Sequence, residues 1–524
     1  MAIGIFWEVT GMSFRGFISD KLVIPSLLRF ASCASWPWYE ELLRLERADR
    51  DELRKSQWER FQSLVEYSKQ HVPYYRESFG QIGLRAKDLR AWDDLLAVPA
   101  INKRQIAANF PDRITSSHTS RNTWEYIATS GTTDRLMVVI DEETKARSYA
   151  VSLYTQKIRG TYAPGCLHVT IPPDACSLAC AAAVRRSQGA MGRARHTIAV
   201  LTERGVSGFP RSLTGRALRA VAHPACEMAS FGTVGTRVLT EMLQWYLDCI
   251  RAWRPVVLSG LPTYLDLLAR YIERCDETVP AIGSLLPEGA LSTPALKDKL
   301  IRVFGVPVHE VYGGHEFGSV ATTCEHRDKL HIVMTECLVE TVRGGKHVAP
   351  GEIGEIMVTR FANKTMPLIR YRPGDLGRLY NSSCSCGRQT QLLTLEGRLQ
   401  DSIVTSRGIR TAKEIIDFFG MWENLEFFQL VQRTENRCDL LVVEDDAGRI
   451  NLRDLAEATE EFLGDEMKVR PRFASTIKPE ESGKFRFVKS RSYQHFHEIT
   501  PVRTFDSAER SVPDQPLHVH AMKR

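Results

Sequence analysis

Apolar residues recur at three- and four-residue spacing in YEELLRLERADRDELRKSQWERFQSLVEYSKQ, which predicts helix over residues 40–80. VPYYRESFG follows, with Pro73 expected to break the pattern. Residues 85–120 are mixed and loop-rich, ending in SSHTSRNT. The periodicity sharpens from residue 237. In RVLTEMLQWYLDCIRAW, Val238, Met242, Trp245, Tyr246, Cys249 and Trp253 fall on one helical face. PVVLS (255–259) predicts a short buried strand, Gly260-Leu261-Pro262 a turn, and TYLDLLARYIER another amphipathic helix. TPALKDKLIRVFG predicts a third helix and VPVHEVY a strand ending at Tyr312. Such alternation argues for a parallel sheet covered by helices, with ligands beyond the carboxyl ends of its strands.

GEIGEIMVTRF (351–361) and the segment to Leu379 predict short strands. After EGRLQDSIVTSRG the pattern becomes compact α+β, with helices at TAKEIIDFF and NLRDLAEATEEFL and strands at EFFQLVQ, CDLLVVE and VRPRFAST. The fold class expected is α/β: a large N-terminal domain of helix-covered sheets (1–397, helical over about 1–110) and a small mobile α+β domain (398–502). Residues 503–524, polar and Pro-containing, read as a disordered tail.

Length and charge narrow the function classes. A chain of 524 residues exceeds one core, so two or more domains are expected. Sixty-nine Lys and Arg against 63 Asp and Glu give +6, a mild bias that suits small anionic ligands. No basic stripe interleaved with aromatics points to nucleic acid. No apolar run reaches the ~18 residues of a membrane span, and the N-terminus lacks the basic lead of a secretory signal. Twelve cysteines without disulfide-framework spacing suit a reducing cytoplasm, the localisation expected.

Thr129-Ser130-Gly131-Thr132-Thr133 groups four hydroxyls around one glycine between two apolar runs. Backbone N–H and side-chain O–H groups of such a turn converge on an anion, and a triphosphate is the natural guest; an ordinary hairpin turn has the same composition. Tyr312-Gly313-Gly314-His315-Glu316 stands at a strand end, and Pro373-Gly374-Asp375 taken alone reads as a turn. Cys384-Ser385-Cys386, with Cys324 and His331, offers three thiolates and an imidazole. His326 competes for the imidazole place, and unrelated buried cysteines remain the alternative.

Five segments occur in order: TSGTT (129–133), YGGHEFG (312–318), MPLIRYRPGDL (366–376), EGRLQDSIVTSRG (396–408) and SGKFRFVK (482–489). The series resembles the adenylate-forming superfamily of acyl- and aryl-CoA synthetases. VPYYRESFG, RPVVLSGLPTYLDLLA and CSCGR make it most similar to the phenylacetate–CoA ligase-like branch, which includes CapK-type and coenzyme F390 synthetase-like members. The resemblance implies ATP, Mg²⁺ and coenzyme A, with a small carboxylic acid as substrate. It makes the 129–133 loop the phosphate grip, Tyr312 with Gly313 the adenine wall, and Glu316 the Mg²⁺ ligand. Asp375 becomes the ribose acceptor, Arg398 the junction arginine, Gln400 the hinge and Lys484 the mobile catalytic lysine, on a loop given freedom by Gly483. The likeness of the Cys…Leu-His-Ile and Cys-x-Cys-Gly-Arg segments implies a structural zinc on Cys324, His331, Cys384 and Cys386.

Several positions depart from the family pattern. Asp134 replaces the glycine expected after TSGTT, with no lysine close behind, and His315 replaces a Thr or Ser. Gln400 stands where Asp or Lys is usual, and PEGALS (287–292) does not clearly reproduce the Gly-Glu pair. Acid-pocket walls are expected from 228–235 and 260–264, with Phe231, Gly260 and Tyr264 as candidates, although either aromatic suits plain core equally. The function expected is adenylation of an aryl or alkyl acid and transfer to coenzyme A. Transfer to a non-CoA acceptor and a non-catalytic binding protein of the same fold are the alternatives. A homodimer is among the partners considered.

Overall fold

A computed structural model describes residues 34–128, 136–161, 167–171, 225–227, 240–405, 408–445, 448–464, 466–480 and 484–490, to which the following refers. The N-terminal helical pattern resolves into three helices, α1 (Trp36–Leu45), α2 (Arg50–His71) and α3 (Pro73–Gln81). Asp49 starts α2 by accepting from the Glu52 N–H at 2.8 Å. The helical pattern breaks ahead of Pro73 as expected, α2 ending at His71, and Pro73 is itself the first residue of the next helix, α3. Its fixed φ suits a first helical turn, its missing N–H is not needed there, and it pushes Val72 to φ −114°, ψ 114°.

Strand β1 (Ile101–Asn102) leads into α4 (Lys103–Asn109). Strands β2 (Glu125–Ala128) and β3 (Met137–Ile140) form an antiparallel hairpin ahead of α5 (Glu142–Arg159), capped by Asp141. A parallel sheet follows in the order β5-β4-β6-β7, built from β4 (His168–Ile171), β5 (Ala225–Glu227), β6 (Val257–Gly260) and β7 (Ser284–Pro287). Helices α6 (Thr240–Trp253), α7 (Pro262–Cys275) and α8 (Pro294–Phe304) cover it, and Leu258, Leu265, Leu268, Ile250 and Leu300 fill the core between them.

The strand expected to end at Tyr312 is divided between two sheets. Val308 makes one parallel bridge to Leu285 of β7. The chain then leaves that sheet, and β8 (Val311–Gly314) pairs antiparallel with β9 (Gly318–Thr323). Tyr312 therefore lies in the ten-stranded mixed sheet, not at the end of a parallel strand. Beyond β9, that sheet takes β10 (Leu330–Ile332), β11 (Cys337–Arg343), β12 (Lys346–His347), β13 (Gly354–Arg360), β14 (Leu368–Arg372), β15 (Asp375–Tyr380) and β16 (Leu392–Arg398). Its main path runs β1-β14-β13-β15-β16-β10-β9-β8, so distant segments of the sequence become neighbours.

After Arg398 come a hairpin of β17 (Ile403–Thr405) and β18 (Gly408–Arg410), then α9 (Ala412–Phe419). Strands β19 (Leu425–Thr434) and β20 (Arg437–Glu444), helix α10 (Leu452–Leu463) and strands β21 (Lys468–Phe473) and β22 (Val488–Ser490) complete a four-stranded sheet, order β21-β20-β19-β22. It has its own core around Ile415, Phe419, Leu430, Leu440 and Leu455. Phe427, Val443 and Ile477 also pack into the core of α7, with the Arg270 guanidinium 6.0 Å from the Phe427 ring. The architecture is thus α/β, with helices on the parallel sheet and a compact α+β unit docked against α7. Among the described residues, no helix is long and apolar enough to cross a membrane.

Candidate active site and cysteine–histidine centre

The β8–β9 turn positions two of the side chains singled out by the sequence. A Cβ on Gly313 would meet the Gly318 carbonyl oxygen at 2.5 Å, so only glycine lets the two strands close this tightly. The pairing shifts register between Tyr312 and Gly313. Tyr312 is buried at 6% exposure, while its hydroxyl donates to Asp375 Oδ2 at 2.9 Å. Burial pushes its phenol well above the usual range, so it remains a donor. The Phe317 ring lies between Tyr312 and Tyr371, 5.9 Å from each.

Asp375 opens β15 directly opposite Arg398, the last residue of β16, and Arg398 Nε stands 3.5 Å from Asp375 Oδ1. Asp375 raises the already high pKa of Arg398, which keeps a half-exposed guanidinium at the cleft. Glu316 accepts from the Tyr371 hydroxyl at 2.9 Å and lies 3.6 Å from Lys103 Nζ. Arg370 sets up Tyr371: it takes φ +49°, uncommon for a residue with a side chain, and is held by buried Glu340 (2.9 Å) and the Val98 carbonyl (2.6 Å).

Lys484 reaches this group from the other end of the chain. Its Cε and Nζ lie 3.9 and 4.0 Å from where a Cβ on Gly289 would stand. Burial lowers its pKa, and Arg398 and Lys103 add to the effect while Asp375 and Glu316 oppose it. Lys484, Arg398, Asp375, Glu316, Lys103 and Tyr312 therefore share one electrostatic neighbourhood. A negatively charged guest would relieve the crowding of three cations there. Gln400 follows in the short turn Leu399–Asp401, and its carbonyl accepts from Arg486 at 3.3 Å.

Not every expected residue is placed there. The whole 129–133 loop, with Asp134, lies outside the described residues, as do Phe231 and Gly483. Gly260 closes β6, its carbonyl accepting from the Glu288 N–H at 2.9 Å. Tyr264 is 3% exposed in the core of α7. Two residues at the site, Lys103 and Tyr371, and Arg486 at the adjoining turn were not singled out by the sequence. Tyr371 and Arg486 lay inside recognised segments, whereas Lys103 follows an apolar run without any motif to mark it.

Cys324, His331, Cys384 and Cys386 place their ligand atoms within 4.8 Å of one another. Cys324 and Cys384 sulfurs are 3.7 Å apart, far beyond a disulfide bond, and Cys386 Sγ is 3.5 Å from His331 Nε2. Tetrahedral zinc, with Zn–S of about 2.3 Å and Zn–N of about 2.0 Å, spaces its ligands at roughly these separations. Thr390 Oγ1 lies 2.8 Å from His331 Nδ1, which leaves Nε2 for the centre. The His326 ring is not part of this group; its backbone N–H donates to Cys324 Sγ at 3.4 Å. Burial pushes the Cys324 thiol up to about 12 and His331 down to about 4. Burial also opposes ionisation of Cys386, but the backbone and guanidinium donors of Arg388 outweigh it and leave that thiol below its usual value. The donor set thus suits a dication. Around it, Leu42 of α1 and Ala150, Val151 and Tyr154 of α5 pack onto Cys324 and Val333.

No family model matches the chain. It is 25% identical to the phenylacetate–coenzyme A ligase of Thermus thermophilus over 81% of its own length and 87% of that protein. It is 22% identical to protein CapK of Staphylococcus aureus over 86% and 92% of the two chains. The structure of a 2-hydroxyisobutyryl-CoA ligase in the postadenylation state superposes with a TM-score of 0.62, covering 87% of this chain and 93% of that one at 17% identity. The fold is that of the adenylate-forming enzymes. Within that class, the chain is similar along most of its length to the phenylacetate–CoA ligase-like branch.

Proposed function

We propose that the chain is an ATP-dependent acid–CoA ligase. A carboxylate oxygen attacks the α-phosphorus of ATP and expels pyrophosphate, and the acyl-adenylate then passes its acyl group to the thiol of coenzyme A, releasing AMP. The observation that carries this reading is Lys484, from the C-terminal unit, lying beside Gly289 within electrostatic reach of Arg398, Asp375 and Glu316, with Tyr312 bonded to Asp375.

The chain's residues divide the work. Tyr312 offers adenine a flat wall, and its hydroxyl fixes Asp375 Oδ2, turning the carboxylate towards the ribose hydroxyls. Lys484 and Arg398 bring the two anions together and stabilise charge that grows on the phosphorus oxygens. Glu316, held by Tyr371, would bind Mg²⁺ as a hard carboxylate ligand, and the ion neutralises phosphate charge when bound. Thr129, Ser130, Gly131, Thr132 and Thr133 are assigned to the leaving phosphates on sequence alone. Gly260 and Tyr264 are assigned to the acid pocket on sequence alone. In the second step the unit after Gln400 would swing to bring the loop at Gly408 to the acyl group.

Cys324, His331, Cys384 and Cys386 would hold a structural zinc, which ties β9–β10 to the loop before β16 beneath α1 and α5. Four protein ligands leave no open position for catalysis.

Isotope exchange between pyrophosphate and ATP, screened over a panel of carboxylic acids, tests the first step. Coenzyme A consumption tests the second. Exchange without coenzyme A use would redirect the acyl group to a hydroxyl or amine acceptor. No exchange with any acid would leave only a binding role.

A further inference from the structure

Arg486 lies two residues beyond Lys484 and turns away from the cleft to the pivot. Its Nε and Nη2 reach Asp401 Oδ1 at 2.8 and 2.5 Å, and Nη2 also reaches the Gln400 carbonyl at 3.3 Å. Both partners belong to the turn Leu399–Asp401, which begins one residue after Arg398. That turn is itself fixed to the site: the Leu399 N–H donates to the Gly374 carbonyl at 2.9 Å and Ser402 Oγ to the Arg398 carbonyl at 3.0 Å. Gly374 adjoins Asp375, so the path from Arg486 to the ribose-facing carboxylate is short and made of hydrogen bonds. The pair is partly buried, with burial raising the Asp401 pKa against the pull of Arg486.

The geometry points to Arg486 as a positioning residue that sets Lys484 in the adenylation site by bracing its loop on the pivot. It touches neither nucleotide nor acid; it acts through Lys484. Lysine alone on a long flexible stem, in a segment of Ser, Gly and Lys, fixes its ammonium poorly. A forked guanidinium two residues on, gripping a carboxylate and a carbonyl, removes that freedom. The departure at position 400 is then tolerated, because Arg486 reads the backbone carbonyl there and not the side chain.

This inference rests on the ligase reading above, and the test separates the two. Pyrophosphate exchange is measured for the full chain, Arg486→Ala, Lys484→Ala and the double variant, with acyl transfer from preformed acyl-adenylate to coenzyme A measured alongside. Arg486→Ala is expected to lower exchange at least tenfold and acyl transfer less than twofold. Adding it to Lys484→Ala should change exchange less than twofold, since the lysine through which it acts is gone. Arg486→Lys should recover part of the rate, and Asp401→Asn should reproduce the loss if Arg486→Ala folds poorly. Exchange lost in Lys484→Ala but retained in Arg486→Ala and Asp401→Asn overturns the inference alone, as do equal losses in both half-reactions. No exchange in the unmodified chain overturns the ligase reading and the inference with it.

Discussion

Tyr312→Phe separates the two tasks of one side chain. The ring keeps its packing on Phe317, 5.9 Å away, so the face proposed for adenine is preserved. The lost hydroxyl is the donor to Asp375 Oδ2 at 2.9 Å. A hydrogen bond to a charged acceptor contributes about 1.5–3 kcal/mol. Asp375 retains Arg398 at 3.5 Å, and its side chain is 16% exposed, so water can take part of the vacated place. The lower end, about 1.5 kcal/mol, therefore applies, which corresponds to roughly a tenfold weaker grip on the nucleotide. Tyr312→Ala also deletes a buried ring, at about 3–5 kcal/mol of fold stability. KM for ATP in acid-dependent exchange, with thermal unfolding as control, is the assay. The Phe variant should raise KM about tenfold with a near-normal melting point, and the Ala variant should lose both. A KM for Tyr312→Phe equal to that of the unmodified chain would refute the claim that this hydroxyl orients Asp375.

Other perturbations give equally definite outcomes. Lys484→Ala should cut exchange at least a hundredfold and spare transfer from acyl-adenylate. Because burial and Arg398 lower the Lys484 pKa, its ammonium is lost as pH rises through a value below the ordinary 10.5. Exchange should fall on that alkaline side in the unmodified chain, and the limb should vanish in Lys484→Ala. Metal analysis of protein purified without chelator should find one zinc per chain. Cys386→Ser should release it and lower the melting point by at least ~5 °C, while Cys275→Ser, exposed and outside the cluster, should change neither. Gly397 holds φ +105°, and a Cβ there would lie 2.6 Å from Ala412 Cβ of α9, so Gly397→Ala should push α9 off β16 and slow exchange.

Much of the architecture was legible because periodicity reports local burial. The helices α6–α8 and the elements of the C-terminal unit stand close to where their spacing put them. What local spacing left out was the element that follows a break and the choice of sheet. Pro73 serves as well to begin a helix as to stop one, and only the partner segments decide between them. The passage of the chain from Val308 to Val311 between sheets depends on β9, which no window around Tyr312 contains. Tyr312, Glu316, Asp375 and Arg398 were singled out by the resemblance of their segments to a family and not by local pattern, and the ten-stranded sheet sets Tyr312, Asp375 and Arg398 side by side with Glu316 on the neighbouring turn. Lys103 and Arg370 were not readable, because their partners Glu316 and Glu340 are distant in sequence and nothing local singles out either basic residue.

The most direct test of the central claim is pyrophosphate–ATP exchange by the purified full chain across a panel of aryl and alkyl carboxylic acids. At least one acid should drive exchange that depends on Mg²⁺ and collapses with Asp375→Ala. Absence of acid-dependent exchange throughout, or exchange indifferent to Asp375, would contradict it.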